Sequence, residues 1–398
     1  MPVLDVTVLP PTPARRSARL RSARRHDEEL WYEAPAEHVD RLVDRADPFA
    51  VAALLYAMHE GCDLHVAGAP VSRSLLRNLE RFQEIWHAWY DLPIVDIDAE
   101  PVDDRPGPEP CVVAYSGGVD SAFTVHRAVT APRRHERPVG AALMVHGMDI
   151  PTDDAVGFAA AARRARSMLD PLGVPLLTIR TNAFDLRPTP PPSHFSALGL
   201  ASALHVVADG FGAGVLSAAD DYRVLTLPLD ATPLSDPLLG RDGFEIVHEG
   251  AAWNRLEKLR ALSQSQDALA NLRVCLDGHR HDRNCGRCRK CIATWLACEA
   301  LGVTAPCFDP PPSPDVVLHW VRHFSNHRVY ISEMRAVVAE ADRRGVDAPW
   351  VGAARRRVRL LTARRAAHAV APGVSAAAER AYAKVTRRAA RRPRPPAP

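Results

Sequence analysis

The chain has 398 residues, of which 47% are hydrophobic and 24% charged, a composition typical of globular proteins. Its net charge of +3 argues against a strong nucleic-acid footprint in the chain as a whole, and no apolar run reaches the ~18 residues that a membrane span needs. We therefore expect a soluble, cytoplasmic protein whose eight cysteines are reduced and free to bind metal.

Residues 1–105 are predicted to form an N-terminal α+β domain. The arginine-rich stretch 16–25, followed by 30–32, is typical of a hairpin with a turn near His26 and Asp27, although a nucleic-acid patch is the alternative. Apolar residues at helical spacing predict two helices, one with Asp47 as its N-cap and one beginning at Ser72. Further strands are predicted at 3–8, 64–67 and 93–97, and the Pro/Asp-rich residues 98–110 are predicted to be a linker.

The most informative stretch begins with a short apolar run at Cys111, which predicts a buried strand. It is followed by Ser116, Gly117, Gly118, Val119, Asp120 and Ser121, and then by a helical pattern. Two adjacent glycines allow backbone N–H groups to converge on an anion at a helix N-terminus, and the serines add hydroxyl donors. Asp120 is suited to hold Mg²⁺ or to fix the loop. The stretch thus predicts a phosphate-binding loop, with an ordinary strand-to-helix turn as the alternative.

Strands and helices alternate after this loop, which predicts a doubly wound parallel sheet. Strands are expected at 141–145, 175–179 and 214–218, with helices at 156–169 and 196–208. Ligands in such sheets bind beyond the carboxyl ends of the strands. The polar residues at these ends are therefore site candidates, each with a structural role as its alternative: His146, Asn182, Asp220 and Asp221. His194, which follows a Pro-Pro-Pro run, is a further candidate of this kind.

Lysine is rare in this chain, since only Lys258, Lys290 and Lys384 occur among 50 Lys and Arg residues. A lysine that persists in such a background is a candidate for a role that needs a compact point charge.

Four cysteines follow the pattern C-x9-C-x2-C-x2-C, namely Cys275, Cys285, Cys288 and Cys291. Four thiolates within seventeen residues satisfy a tetrahedral Zn²⁺ at ~2.3 Å per bond and leave no open position, so the metal is expected to be structural. Iron–sulfur ligation is the alternative, because thiolates suit both metals. His279 or His281 could also replace one cysteine.

The six residues Ser116–Ser121 resemble the pyrophosphate loop (PP-loop) of the N-type ATP pyrophosphatases. Together with the cysteine cluster, residues 110–303 resemble the QueC-like branch of that superfamily, the 7-cyano-7-deazaguanine synthases. The resemblance implies an adenine nucleotide α-hydrolase-like domain at 106–305, which uses ATP and Mg²⁺ and carries a structural Zn²⁺. It also implies that the loop residues bind ATP, and that Lys258, which precedes the cluster, contacts an ATP phosphate. His146 and Asn182 are expected to bind ATP as well, because of their positions at strand ends.

The same resemblance has limits in this sequence. Residues 220–224 do not reproduce the Tyr-Pro-Asp-Cys segment of the 7-cyano-7-deazaguanine synthases, and residues 146–149 lack their aromatic-Gly-Gln. The deazapurine substrate is therefore not carried over.

The function expected from these residues is an ATP-dependent ligase. It would adenylate a carboxylate or amide of a small molecule or protein and transfer it to ammonia or an amine, with Asp120 and Lys258 as catalytic residues. The rival interpretations are a tRNA-thiolation enzyme and a non-catalytic zinc-knuckle module that binds nucleic acid or a partner. A helical region at 306–384 and a disordered basic tail at 385–398 complete the prediction, which leaves a protein partner and a homo-oligomer open.

Overall fold

The computed structural model describes residues 2–186, 192–275 and 280–370. The chain divides into two compact units, 1–312 and 313–398, which are described separately. In the described part of the chain, no helix is both long and apolar enough to cross a membrane.

A ten-stranded, mostly parallel sheet organises the first unit in the order β10-β9-β6-β7-β8-β3-β2-β1-β4-β5. Its strands are β1 Val3–Val8, β2 Arg15–Ser22, β3 Arg25–Glu33, β4 Asp63–Ser72, β5 Ile97–Val102, β6 Cys111–Ala114, β7 Val139–His146, β8 Leu176–Thr181, β9 Ala213–Ser217 and β10 Glu245–Glu249.

Eight α-helices of the described residues belong to this unit. They are α1 Asp47–Glu60, α2 Arg73–Tyr90, α3 Val119–Thr130, α4 Ala155–Leu169, α5 Pro192–Val206, α6 Arg255–Leu262, α7 Gln266–Asn271 and α8 Arg289–Leu301.

Strands β6 to β10 form a parallel half-sheet with helices on both faces. Val112 and Ala114 of β6 lie in one continuous core with α1 and α5, whereas Val113 faces the side where α3 packs. Strand β6 comes first in the chain and lies at the centre of the half-sheet. Strands β7 and β8 lie on one side of it, and β9 and β10 lie on the other. The α/β expectation is confirmed, and the reversal of strand order beside β6 is where such sheets bind ligands.

The N-terminal strands extend the same sheet. Strand β3 runs antiparallel to β8, and the two strands pair only through Tyr32 with Thr181 and Glu33 with Arg180. Strands β1, β4 and β5 are parallel to one another, and the β2–β3 hairpin joins them to the other half. The boundary expected at residues 105/106 therefore falls between two strands of one sheet.

Three local expectations change in the structure. Residues 98–102 of the predicted linker belong to β5, because they pair in parallel with β4. The hairpin turn lies at residues 23–24, since the pairing of Ser22 with Arg25 closes it earlier than expected. Helix α1 begins at Asp47 with Ala46 as N-cap, and Asp47 Oδ1 instead accepts the Ser72 N–H at 2.7 Å.

The second unit contains three described helices, α9 Pro314–His323, α10 Arg328–Arg344 and α11 Pro349–Val370. Apolar residues of all three are buried, including Val321, Met334 and Leu361. The Arg357 guanidinium of α11 donates to the carbonyl of Phe324, which directly follows α9. The tail predicted at 385–398 lies outside the described residues.

Candidate functional site

The predicted phosphate loop joins β6 to α3. Gly117 has φ +75°, a left-handed conformation that glycine adopts without strain. Gly118 is the N-cap residue of α3, and no side chain caps the helix there. The Ser116 N–H donates to Ser121 Oγ and the Gly118 N–H to Ser116 Oγ, both at 3.2 Å. Among the described residues, no acceptor is recorded for the N–H groups of Gly117, Val119 and Asp120. These three donors are available to an anion at the helix N-terminus.

Lys258 is buried beside the loop, with 1% of its side chain exposed. Its Nζ donates to Asp120 Oδ1 at 2.7 Å and to the Ala218 carbonyl at the end of β9. The Arg255 guanidinium lies 3.6 Å from the other carboxylate oxygen of Asp120. Burial alone would raise the pKa of Asp120, but Lys258 and Arg255 outweigh it and hold that pKa below its usual value. Asp120 is thus an anion that anchors two cations at the first turn of α3.

Arg273 ties the loop to the chain that leads into the cysteine cluster. Its backbone N–H donates to the Gly117 carbonyl at 2.8 Å, and its Nη2 donates to the Ser116 carbonyl at 3.1 Å. The same guanidinium pairs with Asp149, which lies beyond the carboxyl end of β7. Since Arg273 is only 6% exposed, these contacts fix the position of the loop.

A cavity of about 70 Å³ lies between the loop and these charged side chains. Its charged lining consists of Asp120, Asp149, Arg255, Arg273 and Lys290. Burial is the main cause that lowers the pKa of Lys290, and repulsion from the neighbouring Arg255 lowers it further. Counting Lys258 behind Asp120, four cations face two carboxylates. The site therefore carries an excess of positive charge that suits a polyanion.

The predicted loop residues and Lys258 come together in this site, whereas His146 does not. His146 Nε2 lies 2.8 Å from the Pro151 carbonyl, and the imidazole stacks on Phe158 with ring centroids 4.4 Å apart. Burial lowers the pKa of His146, which favours the neutral ring. Among the described residues, His146 is not part of the cavity lining.

Asn182 likewise lies away from the cavity and joins the two halves of the sheet. Its Oδ1 accepts the Trp31 N–H at 3.0 Å, and its Nδ2 donates to the Glu29 carbonyl at 2.7 Å. The side chain therefore extends the short ladder between β3 and β8 by two hydrogen bonds.

Replacing Asn182 by alanine is expected to lower the free energy of unfolding by about 2 kcal/mol, because two backbone groups of β3 lose their partners. The ATP binding that the phosphate loop predicts should not change, since the Asn182 side chain is held by β3. Chemical denaturation and calorimetric titration with ATP measure the two quantities. Weaker ATP binding in a variant of unchanged stability would instead support the cofactor-binding role.

The remaining strand-end candidates are held by protein groups. Asp221 is buried and accepts from the N–H and Nε of Arg223 at 2.9 and 3.0 Å. Asp220 has a partner as well. His194 Nδ1 lies 3.3 Å from His59 Nε2, and His281 Nδ1 lies 2.7 Å from Asp154, away from the cysteines. His279 lies outside the described residues.

The four predicted cysteines form a compact cluster in which every sulfur lies within 4.8 Å of the others. Cys285 Sγ and Cys291 Sγ are 3.9 Å apart, and Cys275 Sγ and Cys288 Sγ are 4.0 Å apart. Tetrahedral bonds of ~2.3 Å require sulfur separations of about 3.8 Å, so the cluster fits a zinc ion. Cys285 Sγ also accepts the N–H groups of Arg287 and Cys288 at 3.4 and 3.3 Å, as expected of a knuckle that supports a thiolate ligand.

Sequence reasoning assigned no role in the site to four of its charged residues: Asp149, Arg255, Arg273 and Lys290. The rarity of lysine was a usable signal for Lys290, because two of the three lysines in the chain lie at the loop. Arg255 and Arg273 are common residues here, and only the tertiary fold distinguishes them from other arginines.

Comparisons with protein-family models, with curated proteins and with solved structures found no match to this chain.

Proposed function

We propose that the protein is an ATP-dependent adenylating ligase of the PP-loop type, with an adenine nucleotide α-hydrolase-like domain. The observation that carries this proposal is the loop at the amino end of α3, with available backbone donors facing an excess of buried cations. The loop follows β6, the strand beside which the order of the parallel half-sheet reverses. Backbone donors, a helix N-terminus and basic side chains together favour a pyrophosphate group.

Transfer of AMP to a carboxylate or amide oxygen makes pyrophosphate the leaving group. Negative charge then grows on the bridging and terminal phosphate oxygens. Preorganised N–H donors and buried cations stabilise such charge, because they need not reorient during the reaction. In the proposal, the N–H groups of Gly117, Val119 and Asp120 bind the departing phosphates, and Arg255, Lys258 and Lys290 neutralise them.

The cavity of about 70 Å³ is smaller than the ~300 Å³ or more of typical ligand pockets. It has room for water, so a nucleotide requires the lining side chains to move apart. Arg273 and Asp149 close the cavity by an ion pair, and a phosphate group is a competing partner for that guanidinium. Mg²⁺ would enter with the phosphates, and Asp120 and Asp149 are the carboxylates that face them.

The metal proposed for the cysteine cluster is Zn²⁺. A cluster of four thiolates leaves it without an open coordination position, so the ion would supply structural support and no catalytic chemistry. Cys275 would hold the segment that follows Arg273, and Cys291 would hold the start of α8 beside Lys290.

The proposal is tested by screening candidate carboxylates and amides for pyrophosphate release with ATP, Mg²⁺ and ammonium. The set should include 7-carboxy-7-deazaguanine and peptide C-termini. We expect release that depends on one acceptor class and that falls to background in the Asp120→Asn variant. Absence of ATP binding by the wild-type protein in calorimetry would contradict the proposal, whatever the acceptor.

A further inference from the structure

The net charge of +3 conceals two units of opposite charge. Residues 1–312 contain 32 Lys and Arg against 41 Asp and Glu, whereas residues 313–398 contain 18 against 6. The arginine-rich composition of the whole chain does not explain this difference, because the first unit has the same bias and is acidic. The second unit is therefore basic in its own right.

Helix α11 presents part of this charge on one face. It contains six arginines and no acidic residue. Arg356, Arg359 and Arg364 are exposed. At 100° per residue they lie within about 140° of one another, opposite the buried residues Val351, Val358 and Leu361.

These three arginines are not neutralised within the described part of the second unit. Other arginines of the unit have protein partners: Arg343 and Arg344 pair with Glu340, and Arg355 pairs with Asp342. For Arg356, Arg359 and Arg364, no ion pair is recorded among the described residues. They form what we call the arginine face of α11, and it spans about 12 Å of helix axis.

We propose that the arginine face of α11 binds the phosphodiester backbone of a nucleic acid without reading its sequence. Duplex nucleic acid repeats its phosphates every ~3.4 Å per strand, so 12 Å of helix covers several of them. The residues around the arginines are small: Ala363 and Ala367 are exposed, and Leu360, at 44%, is the single large exposed apolar residue of the described part of this unit. A protein interface would be expected to present aromatic anchors. Helix α11 contains no Asn or Gln, the side chains that read adenine, and about half to two-thirds of protein–DNA hydrogen bonds go to phosphate and sugar, so we assign its arginines to the phosphates.

The test uses the full-length protein and fluorescence anisotropy with a labelled 24-base-pair DNA duplex and an RNA duplex of the same sequence. The triple variant Arg356→Gln/Arg359→Gln/Arg364→Gln is compared with the wild type at 50 and 200 mM NaCl. Loss of three phosphate contacts lowers the salt slope by about 2.7, so the ratio of wild-type to variant affinity should be about 40-fold larger at 50 mM than at 200 mM. The DNA and RNA arms show which backbone is preferred.

A matched control neutralises three exposed arginines of the first unit, Arg24→Gln/Arg105→Gln/Arg134→Gln, and should leave the binding unchanged. Circular dichroism verifies that both variants fold. Equal weakening by the two triple variants would overturn the assignment to α11. Competition by poly-glutamate as effective as that by nucleic acid of equal charge would overturn the phosphodiester assignment, as would failure of the wild type to bind at 50 mM NaCl. These outcomes are independent of ATP use.

Discussion

Replacing Lys258 by methionine is expected to lower acceptor-dependent pyrophosphate release by about 100-fold or more. Removal of one preorganised group that stabilises developing charge costs about 10² to 10³ in rate. Lys258 is buried and its Nζ is fixed between Asp120 and the Ala218 carbonyl, so its charge is preorganised beside the loop. The variant should also weaken ATP binding, which calorimetric titration measures before any acceptor is known.

The same substitution leaves Asp120 without its closest cation, because Arg255 is 3.6 Å away. Breaking a buried ion pair costs about 3 kcal/mol here, the lower end of the usual range, because 21% of the Asp120 side chain is exposed. The single variant would thus lose stability as well as activity. The double variant Asp120→Asn/Lys258→Met removes both charges, so it should recover part of the stability and none of the activity. Pyrophosphate release at the wild-type rate in either variant would remove Lys258 from the mechanism.

Replacing Cys291 by serine is expected to reduce bound zinc from about one ion per chain to near zero. Structural zinc contributes about 10 kcal/mol or more in zinc-finger peptides, and a loss of even half of this would lower the melting temperature by about 10 °C or more. ATP affinity should fall with it, since Arg273, two residues before Cys275, donates to the Ser116 and Gly117 carbonyls. Metal analysis, thermal denaturation and calorimetric titration with ATP measure the three effects.

Cys298→Ala is the matched control, because Cys298 is buried on the same helix α8 but lies outside the cluster. It should keep the metal and the ATP affinity. Visible absorbance together with bound iron in the wild type would indicate an iron–sulfur cluster in place of zinc. That result would favour the tRNA-thiolation alternative. Full stability and ATP affinity in metal-free Cys291→Ser would show that the cluster does not organise the loop.

The parts of the site that sequence reasoning found are encoded locally. The loop between Ser116 and Ser121 and the spacing of the four cysteines depend on near neighbours in the chain, and the structure brings each set together as expected. Lys258 could be selected because lysine is rare here. The role of Asp120 in anchoring Lys258 and Arg255 depends on the packing of α6 against α3, which no local pattern records.

The arrangement of the N-terminal strands could not be predicted for the same reason. The hairpin of β2 and β3 was recognisable, but its attachment to β8 uses only two residue pairs and the side chain of Asn182. Such pairing has no periodic signature, and Asn182 at a strand end was accordingly interpreted as a ligand group.

The stagger between β3 and β8 shapes the space beside the phosphate loop. Because only the last residues of β3 pair with β8, residues 25–31 continue past the carboxyl end of that strand by about 20 Å. The β2–β3 hairpin therefore stands on one side of the space above the phosphate loop. Strand β3 lies three strand positions from β6, which corresponds to about 14 Å. In the proposed ligase, this hairpin would limit from one side which acceptors reach the phosphate loop.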